Sequence, residues 1–499
     1  MAGSANLSAV LEDGALAGGW WERIAFLVDG RAFTHAEVHE GAASTASLLA
    51  EHGVGRGDRV LLVLPDGIEF VWAFLGSLRL GAMAIPVNPR LTAHDHRALL
   101  EDSQPAVVVA GGELVDRFGA RLVPAETLEA APADRAGSPA VPVAPEDPAY
   151  AQYTSGTTGA PKAAVHRHRD PLVYFTAFAR PAAAIDRGDV LFSVSKMFFA
   201  YGLGNSLFFT LLAGCRAVLH PGAAKPGVVA DLVKGHGVTV LFSVPTFYAH
   251  LLACVGPGEL PSLRAAVSAG EPLKVALAER AREALRCPIL DGLGSTEVGQ
   301  TFVSNTLTHQ RDGTIGRALP PYEVEVRDGD RRPLAPGEAG TLWVRGPTIL
   351  LEYLGKPEAT AAVKDGEWLC TGDRAAIEPD GFVCHLGRVD DIELVGGVNV
   401  APAEVEELLA RHDGVTEVAV AGVRDALGAS RLEAFVVLSP AARSSEEVTA
   451  ELVALAARHL APHKVPKVVN CVAALPRTAT GKLQRFVLRS GALSRSRDM

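Results

Sequence analysis

Residues 153–162 bring Thr154, Ser155, Gly156, Thr157, Thr158, Gly159 and Lys162 together with almost nothing apolar between them. Such a set suits an anion. Glycines let the backbone turn tightly so that its N–H groups converge, the hydroxyls add donors, and Lys162 adds a point charge. The chemistry to expect is the handling of phosphate. A Walker loop needs Gly directly before its Lys and Ser or Thr after it, whereas Pro161 precedes Lys162 and Ala163 follows. Taken alone, these ten residues fit a Ser/Thr/Gly surface loop equally well.

Other stretches carry chemistry of their own. Gly270-Glu271-Pro272 follows an apolar run at 263–268, and Asp291-Gly292-Leu293-Gly294-Ser295-Thr296-Glu297 follows one at 287–290. Glycine-bearing loops at the carboxyl ends of strands are where open α/β sheets collect ligands. Glu297 is a hard-oxygen ligand of the kind magnesium takes together with phosphate oxygens. In Trp368-Leu-Cys-Thr-Gly-Asp373 the carboxylate can accept from two adjacent hydroxyls. The string 196–205 gathers Phe198, Phe199 and Tyr201 among glycines, which makes either ordinary core or a flat slot for a planar ring. His166 and His168, flanked by arginines and with no third ligand nearby, read as a polar strand end rather than a metal site.

Elements able to position these groups follow from the hydrophobic pattern. Apolar runs at 59–64, 83–87 and 106–110 alternate with helical spacing at 67–80 and 93–103, the pattern of parallel strands with crossover helices. Residues 112–147 are rich in Ala, Pro, Gly and Glu and read as a solvated connection. Between 230 and 255 the order is helix, strand, turn, helix, and beyond 320 short strands separated by Gly, Pro and Asp indicate an antiparallel unit. From 396 a tight turn leads into an amphipathic strand–helix pattern of ordinary domain length.

A chain of 499 residues with 48% hydrophobic composition is long enough for two or three packed units. Its net charge of −10 argues against sequence-independent nucleic-acid binding. Six scattered cysteines without a C-x-x-C pair suit reduced thiols in a cytoplasmic protein. The apolar stretch 190–219 is interrupted by Lys196, Asn205, Arg216 and glycines, so a buried core or pocket wall is expected there and no membrane span. The start of the chain has no signal-peptide pattern, and the tail after 489 is expected to be disordered.

In this order the motifs resemble the adenylate-forming superfamily of acyl- and aryl-CoA ligases, luciferases and peptide-synthetase adenylation domains. The likeness runs from about 30 to 490 and is nearest to benzoate–CoA ligases at 196–205. It departs from the usual pattern at Ala163, Cys370 and Glu393. The resemblance implies an α/β fold with a large N-terminal domain, 1–389, of parallel sheets with flanking helices plus a β-barrel-like unit. A small mobile α+β domain, 390–499, follows. It implies ATP bound by residues 154–159, Lys162, Gly270–Pro272, residues 291–295, Asp373 and Arg388, with magnesium at Glu297. Lys482, Thr296 and Glu297 are the implied catalytic residues, and Asp390 the hinge about which Lys482 is exchanged for the face bearing residues 396–400.

Phe199, Ala200, Tyr201, Gly202, Ser268, Gly294, Gly299, Gln300 and Thr301 would border an aryl slot. Gly299 would free volume and Gln300 and Thr301 would offer hydrogen bonds, favouring a substituted benzoate or cinnamate-like acid. The implied activity is ATP-dependent formation of an aryl-AMP with loss of pyrophosphate, then transfer to coenzyme A. A carrier-protein thiol or a nitrogen nucleophile is the alternative acceptor. Lys162, Glu297, Asp373 and Lys482 together argue against a silent nucleotide-binding module, and a monomer or homodimer is expected.

Overall fold

The strand-length apolar runs of the first 320 residues pair into two sheets in a computed structural model. It describes residues 5–129, 138–154, 161–389, 393–395, 398–400, 402–424, 430–439, 444–477 and 483–490. One sheet has six strands in the order Leu122–Pro124, Val107–Ala110, Arg59–Val63, Met83–Pro86, Pro148–Thr154 and Lys162–Arg167. Its neighbours are parallel except for the last pair. Leu61, Val63, Ile85 and Val108 form its core with Ala163 and Val165. Such runs lack polar alternation because both faces of a parallel sheet are covered. The helix Ile68–Arg79, between two of these strands, is buried at every position but Glu69.

The second sheet has nine strands, with Ile289–Gly294, Ala265–Ala269, Val240–Ser243, Val190–Ser193, Arg216–Leu219 and Ile24–Val28 parallel and antiparallel strands at both edges. Ser243, Ser268 and Asp291 stand opposite one another on three neighbouring strands. Side chains in register share a face, so these three make a polar row near the carboxyl end of an otherwise apolar sheet.

Two expectations are corrected here. The connection 112–147 is not wholly solvated: Leu122–Pro124 adds a parallel edge strand, and Leu114, Phe118, Val123 and Leu128 are buried. Its large apolar residues lack a regular period, which concealed them. Residues 291–294 are not a loop but the end of a strand, paired antiparallel with Thr301–Ser304. No helix of the described residues is long and apolar enough to cross a membrane, and 190–219 is largely buried, as expected, with strands at both ends and helical turns between. No disulfide links any of the six cysteines, all of which are described.

Contacts divide the chain into two units. One comprises Met1–Val324, Trp343–Cys370 and Asp380–Val383, the other Glu325–Leu342, Thr371–Pro379 and Cys384–Met499. In the second unit Val415–Arg424 pairs antiparallel with Ser430–Leu438, which pairs parallel with Val468–Cys471. Val405, Leu409 and Leu452 pack on one side of that sheet, Leu475 and Leu488 on the other. The antiparallel strands Glu393–Val395 and Val398–Val400 precede the helix Pro402–Leu409, the helix expected after 396, while the expected turn at 396–397 lies outside the described residues. The tail after Ser490 lies outside the described residues.

Candidate active site

The phosphate-type stretch lies between two antiparallel strands, with Thr154 opposite Lys162 and Tyr153 opposite Ala163. Ser155, Gly156, Thr157, Thr158 and Gly159 lie outside the described residues. The stem is pinned from below. Tyr153 Oη donates to Asp102 Oδ2 at 2.8 Å, while Lys356 Nζ donates to Asp102 Oδ1 and, at 2.8 Å, to the Pro161 carbonyl. Lys162 Nζ sits 5.5 Å above the Tyr353 ring, a cation–π distance.

Tyr353 also reaches the second motif. Its hydroxyl donates to Glu297 Oε1 at 2.8 Å, and Leu350 N donates to the Glu297 carbonyl at 2.7 Å. Ser295, Thr296 and Glu297 are partly exposed, whereas Val298, Gly299 and Gln300 are buried. Val298 N donates to Ser295 Oγ at 3.2 Å, and Thr348 Oγ1 to the Val298 carbonyl at 2.8 Å, so the turn is held at several points. The Thr296 carbonyl accepts from His166 Nε2 at 2.7 Å.

Among the described residues no group of three or more His, Cys, Asp or Glu could hold a metal. A divalent cation here would rest on one carboxylate plus phosphate oxygens, as suits magnesium. Glu297 fits: Tyr353 fixes Oε1, and Oε2 makes no hydrogen bond to the described residues.

Gly299 has φ of +90°, and a Cβ there would fall 1.9 Å from Tyr174 Oη. Glycine is required for both reasons. This corrects the expectation that Gly299 frees room for a substrate ring, because Tyr174 already fills that room. Thr301 is likewise occupied: its N–H and hydroxyl both donate to Gln300 Oε1, at 2.9 and 3.1 Å. That leaves Gln300 Nε2 buried without a partner, packed on Gly204. Beside Gly204, Asn205 is fully buried with its side-chain amide against the Tyr201 hydroxyl. Buried polar atoms left bare are costly, and a ligand's polar groups would satisfy them.

The other residues expected at the aryl slot are aromatic or present backbone. Phe199 packs edge-on against Phe198 at 4.5 Å, and Tyr201 against Phe242 at 6.2 Å. Ala200 is buried, and Gly202 lies so close to the Lys196 carbonyl that a Cβ would stand 2.1 Å away. Ser268 is buried beside Asp291, and burial pushes the Asp291 carboxyl well above the ordinary carboxylate range. Leu293 and Gly294 are partly exposed, Gly292 buried. Gly270, with φ of +90°, and Pro272 are exposed. The Glu271 carboxylate accepts from Thr246 N and Oγ1, at 3.2 and 2.6 Å, so that side chain tethers the start of the helix Pro245–Leu252.

In the second unit, Asp373 is buried on the long strand Trp368–Ile377. His385 Nε2 lies 3.1 Å and Arg388 Nη1 3.3 Å from its Oδ1, and Arg388 also donates to the Thr371 carbonyl at 2.8 Å. Burial alone would raise the Asp373 carboxyl, but the His385 hydrogen bond and the Arg388 charge outweigh it and hold it below the usual carboxylate value. Oδ2 has no hydrogen-bond partner among the described residues. Lys482 and Asp390 lie outside the described residues.

Four groups in these networks escaped the sequence reading: His166, Tyr353, His385 and Asn205. The expected polar strand end at His166–Arg169 is instead buried at both histidines, His168 Nδ1 accepting from Leu7 N at 3.1 Å.

The family model described as AMP-binding enzyme matches residues 16–354, and that of the AMP-binding enzyme C-terminal domain matches 404–482. The chain is 43% identical over 486 residues to the p-hydroxybenzoic acid–AMP ligase FadD22 of Mycobacterium tuberculosis, covering 97% of this chain and 68% of that protein. It is 39% identical over 457 residues to the benzoate–CoA ligase of Thauera aromatica, covering 88% and 86%. The crystal structure of a benzoate CoA ligase from Burkholderia xenovorans LB400 superposes with a TM-score of 0.88 at 36% identity, over 97% of this chain and 99% of that one. The chain therefore belongs to the AMP-binding enzyme family, and like its benzoate–CoA ligase relatives it is an AMP-forming acid–thiol ligase.

Proposed function

We propose that this enzyme activates a ring-substituted benzoate, p-hydroxybenzoate first, as its adenylate and passes the aroyl group to the thiol of coenzyme A. The observation that carries the substrate is the unpartnered buried amide nitrogen of Gln300, set among aromatic and apolar residues. A site whose polar groups need a substrate hydroxyl or amine discriminates strongly against the acid that lacks it. The 43% identical relative is a p-hydroxybenzoic acid ligase, which supports the same choice.

In the first step a carboxylate oxygen attacks the α-phosphorus of ATP and pyrophosphate leaves. In the second the thiol sulfur attacks the acyl carbonyl and AMP leaves. Two anions meet in the first step, so fixed cations are needed where charge accumulates. Lys482 serves between carboxylate and α-phosphate, Lys162 and residues 154–159 serve on the departing pyrophosphate, and Thr296 contributes its hydroxyl. Magnesium neutralises phosphate charge when bound, and Glu297 is the residue that would hold it. Asp373 Oδ2 takes the ribose hydroxyls, with Arg388 beside it. Residues 270–272 and 291–295 line the nucleotide. A functional boundary at 389/390, with Asp390 as the pivot, lets Lys482 withdraw before the thiol enters.

A second reading, an acceptor other than coenzyme A such as a carrier-protein thiol or a nitrogen nucleophile, is favoured by one fact: the 43% identical relative is an AMP ligase. Mass spectrometry of the products from ATP and a panel of aryl acids, with and without coenzyme A, separates the two. Aroyl-CoA from p-hydroxybenzoate is expected. Aroyl-AMP that accumulates untouched by coenzyme A would favour the second reading, and no product from any aryl acid would refute both.

A further inference from the structure

The strand Lys162–Arg167 carries two functional side chains. Lys162 opens it, and His166 stands four residues on, so the two point to the same face of the strand. Ala163, Ala164 and Val165 between them are buried and apolar. His166 is equally buried yet polar, and it sits in a chain of hydrogen-bonded side chains. Tyr150 Oη lies 3.0 Å from Tyr174 Oη, Tyr174 Oη 3.2 Å from His166 Nδ1, and Asp170 Oδ2 3.4 Å from the same nitrogen. Tyr150 also stacks on the imidazole at 5.2 Å. The far end of this chain is Nε2, 2.7 Å from the carbonyl of Thr296.

We infer that His166 is a positioning residue that holds the Thr296–Glu297 peptide in register with Lys162. A carbonyl oxygen only accepts, so Nε2 carries the proton and donates it into that bond. Glu297 is then gripped from two sides. His166 fixes the peptide that leads into it, and Tyr353, which bridges to Ala164 on the same strand, fixes its carboxylate. A single strand thus sets the distance between the lysine of one motif and the carboxylate of the other. Burying tyrosines, a histidine and a carboxylate together is expensive, and Asp170 Oδ1 is left unpartnered in the process. An apolar core would hold the fold with less penalty, which is why a positioning role explains the network better than packing does.

The assignment rests on the reading of Thr296 and Glu297 given above. It is tested with His166→Gln and His166→Asn. The Gln amide nitrogen reaches the place of Nε2, whereas the Asn amide stops one carbon short, and both bury a primary amide, so folding damage is matched. His166→Asn is expected to lower kcat for aryl-acid-dependent pyrophosphate release by about 10- to 100-fold, as supporting contacts to such ligands do. KM for the aryl acid should stay within about twofold, because the aryl slot is untouched. His166→Gln should recover kcat to within about threefold of the parent. By calorimetry, His166→Asn should bind magnesium-ATP about tenfold more weakly than His166→Gln does. Equal kcat and equal nucleotide affinity in the two variants would overturn the inference. A parent enzyme inactive on every aryl acid, with the difference in magnesium-ATP binding retained, would instead refute the proposed substrate and leave His166 as assigned.

Discussion

Tyr353 Oη lies 2.8 Å from Glu297 Oε1, while the same ring lies 5.5 Å below Lys162 Nζ. One aromatic side chain therefore touches a cation from the phosphate-type stretch and an anion from the Thr296–Glu297 turn. Removing only the hydroxyl separates these roles. In Tyr353→Phe the ring still faces Lys162, but Glu297 loses a hydrogen bond to a charged group, a loss of about 1.5–3 kcal/mol. Pyrophosphate release is expected to need roughly tenfold more magnesium for half-maximal rate. An unchanged magnesium titration would show that Tyr353 does not hold Glu297.

The aryl slot is tested by a contrast. Since a Cβ at Gly299 would strike Tyr174, Gly299→Ala should depress activity toward benzoate and p-hydroxybenzoate in parallel. Gln300→Leu should lower kcat/KM for p-hydroxybenzoate by about tenfold or more and leave benzoate within about threefold. If Gly299→Ala discriminated between the two acids and Gln300→Leu did not, the slot would lie where the sequence first suggested.

Asp373 offers a pH test. His385 and Arg388 hold its carboxyl low, so it remains ionised through the ordinary carboxylate range. ATP affinity should accordingly stay flat as pH falls to about 4, as far as this group decides it. Replacing His385 with Leu removes a lowering contact, and affinity should begin to decline at a higher pH than in the parent. Superimposable binding-versus-pH curves for the two proteins would contradict that role.

Stability has its own pH signature in the first unit. His39 is buried under Trp21, and burial, with the charges of His35 and Arg79, lowers its pKa to about 3. The unfolded chain binds a proton near pH 6.5 while the folded one does not, so stability is lost as pH falls from 6.5 toward 3. His39→Phe keeps the stack on Trp21 and removes the titration. Between pH 7 and 5 its urea stability should fall by about 2 kcal/mol less than the parent's. Asp66, raised to about 6 by burial, acts in the opposite sense and is common to both proteins. Equal losses would refute a neutral buried His39.

Much of the fold was legible because parallel strands covered on both faces read as uninterrupted apolar runs, as at Arg59–Val63 and Val107–Ala110. Leu122–Pro124 was not, since three residues ending in proline carry no strand pattern. Asp291–Gly294 reads as a loop because Asp and Gly favour turns, yet it is a strand end whose Gly292 has no room for a side chain, since a Cβ there would fall 2.9 Å from the Val303 carbonyl oxygen. The groups supporting the site were illegible for a different reason. His166 and Thr296 are 130 residues apart, and Tyr353 and Glu297 are 56 apart, so no local spacing encodes either contact. Gly299 misled because a glycine announces space without saying what fills it.

Adenylation by Lys482 is the centre of the proposed mechanism, and pyrophosphate–ATP exchange measures it without any acceptor thiol. With p-hydroxybenzoate the parent enzyme is expected to exchange label in an acid-dependent manner, and Lys482→Ala to fall at least tenfold while binding ATP nearly as well, since the lysine acts on charge formed during transfer. Exchange independent of aryl acid, or a Lys482→Ala variant retaining more than about a tenth of the parent rate, would contradict it.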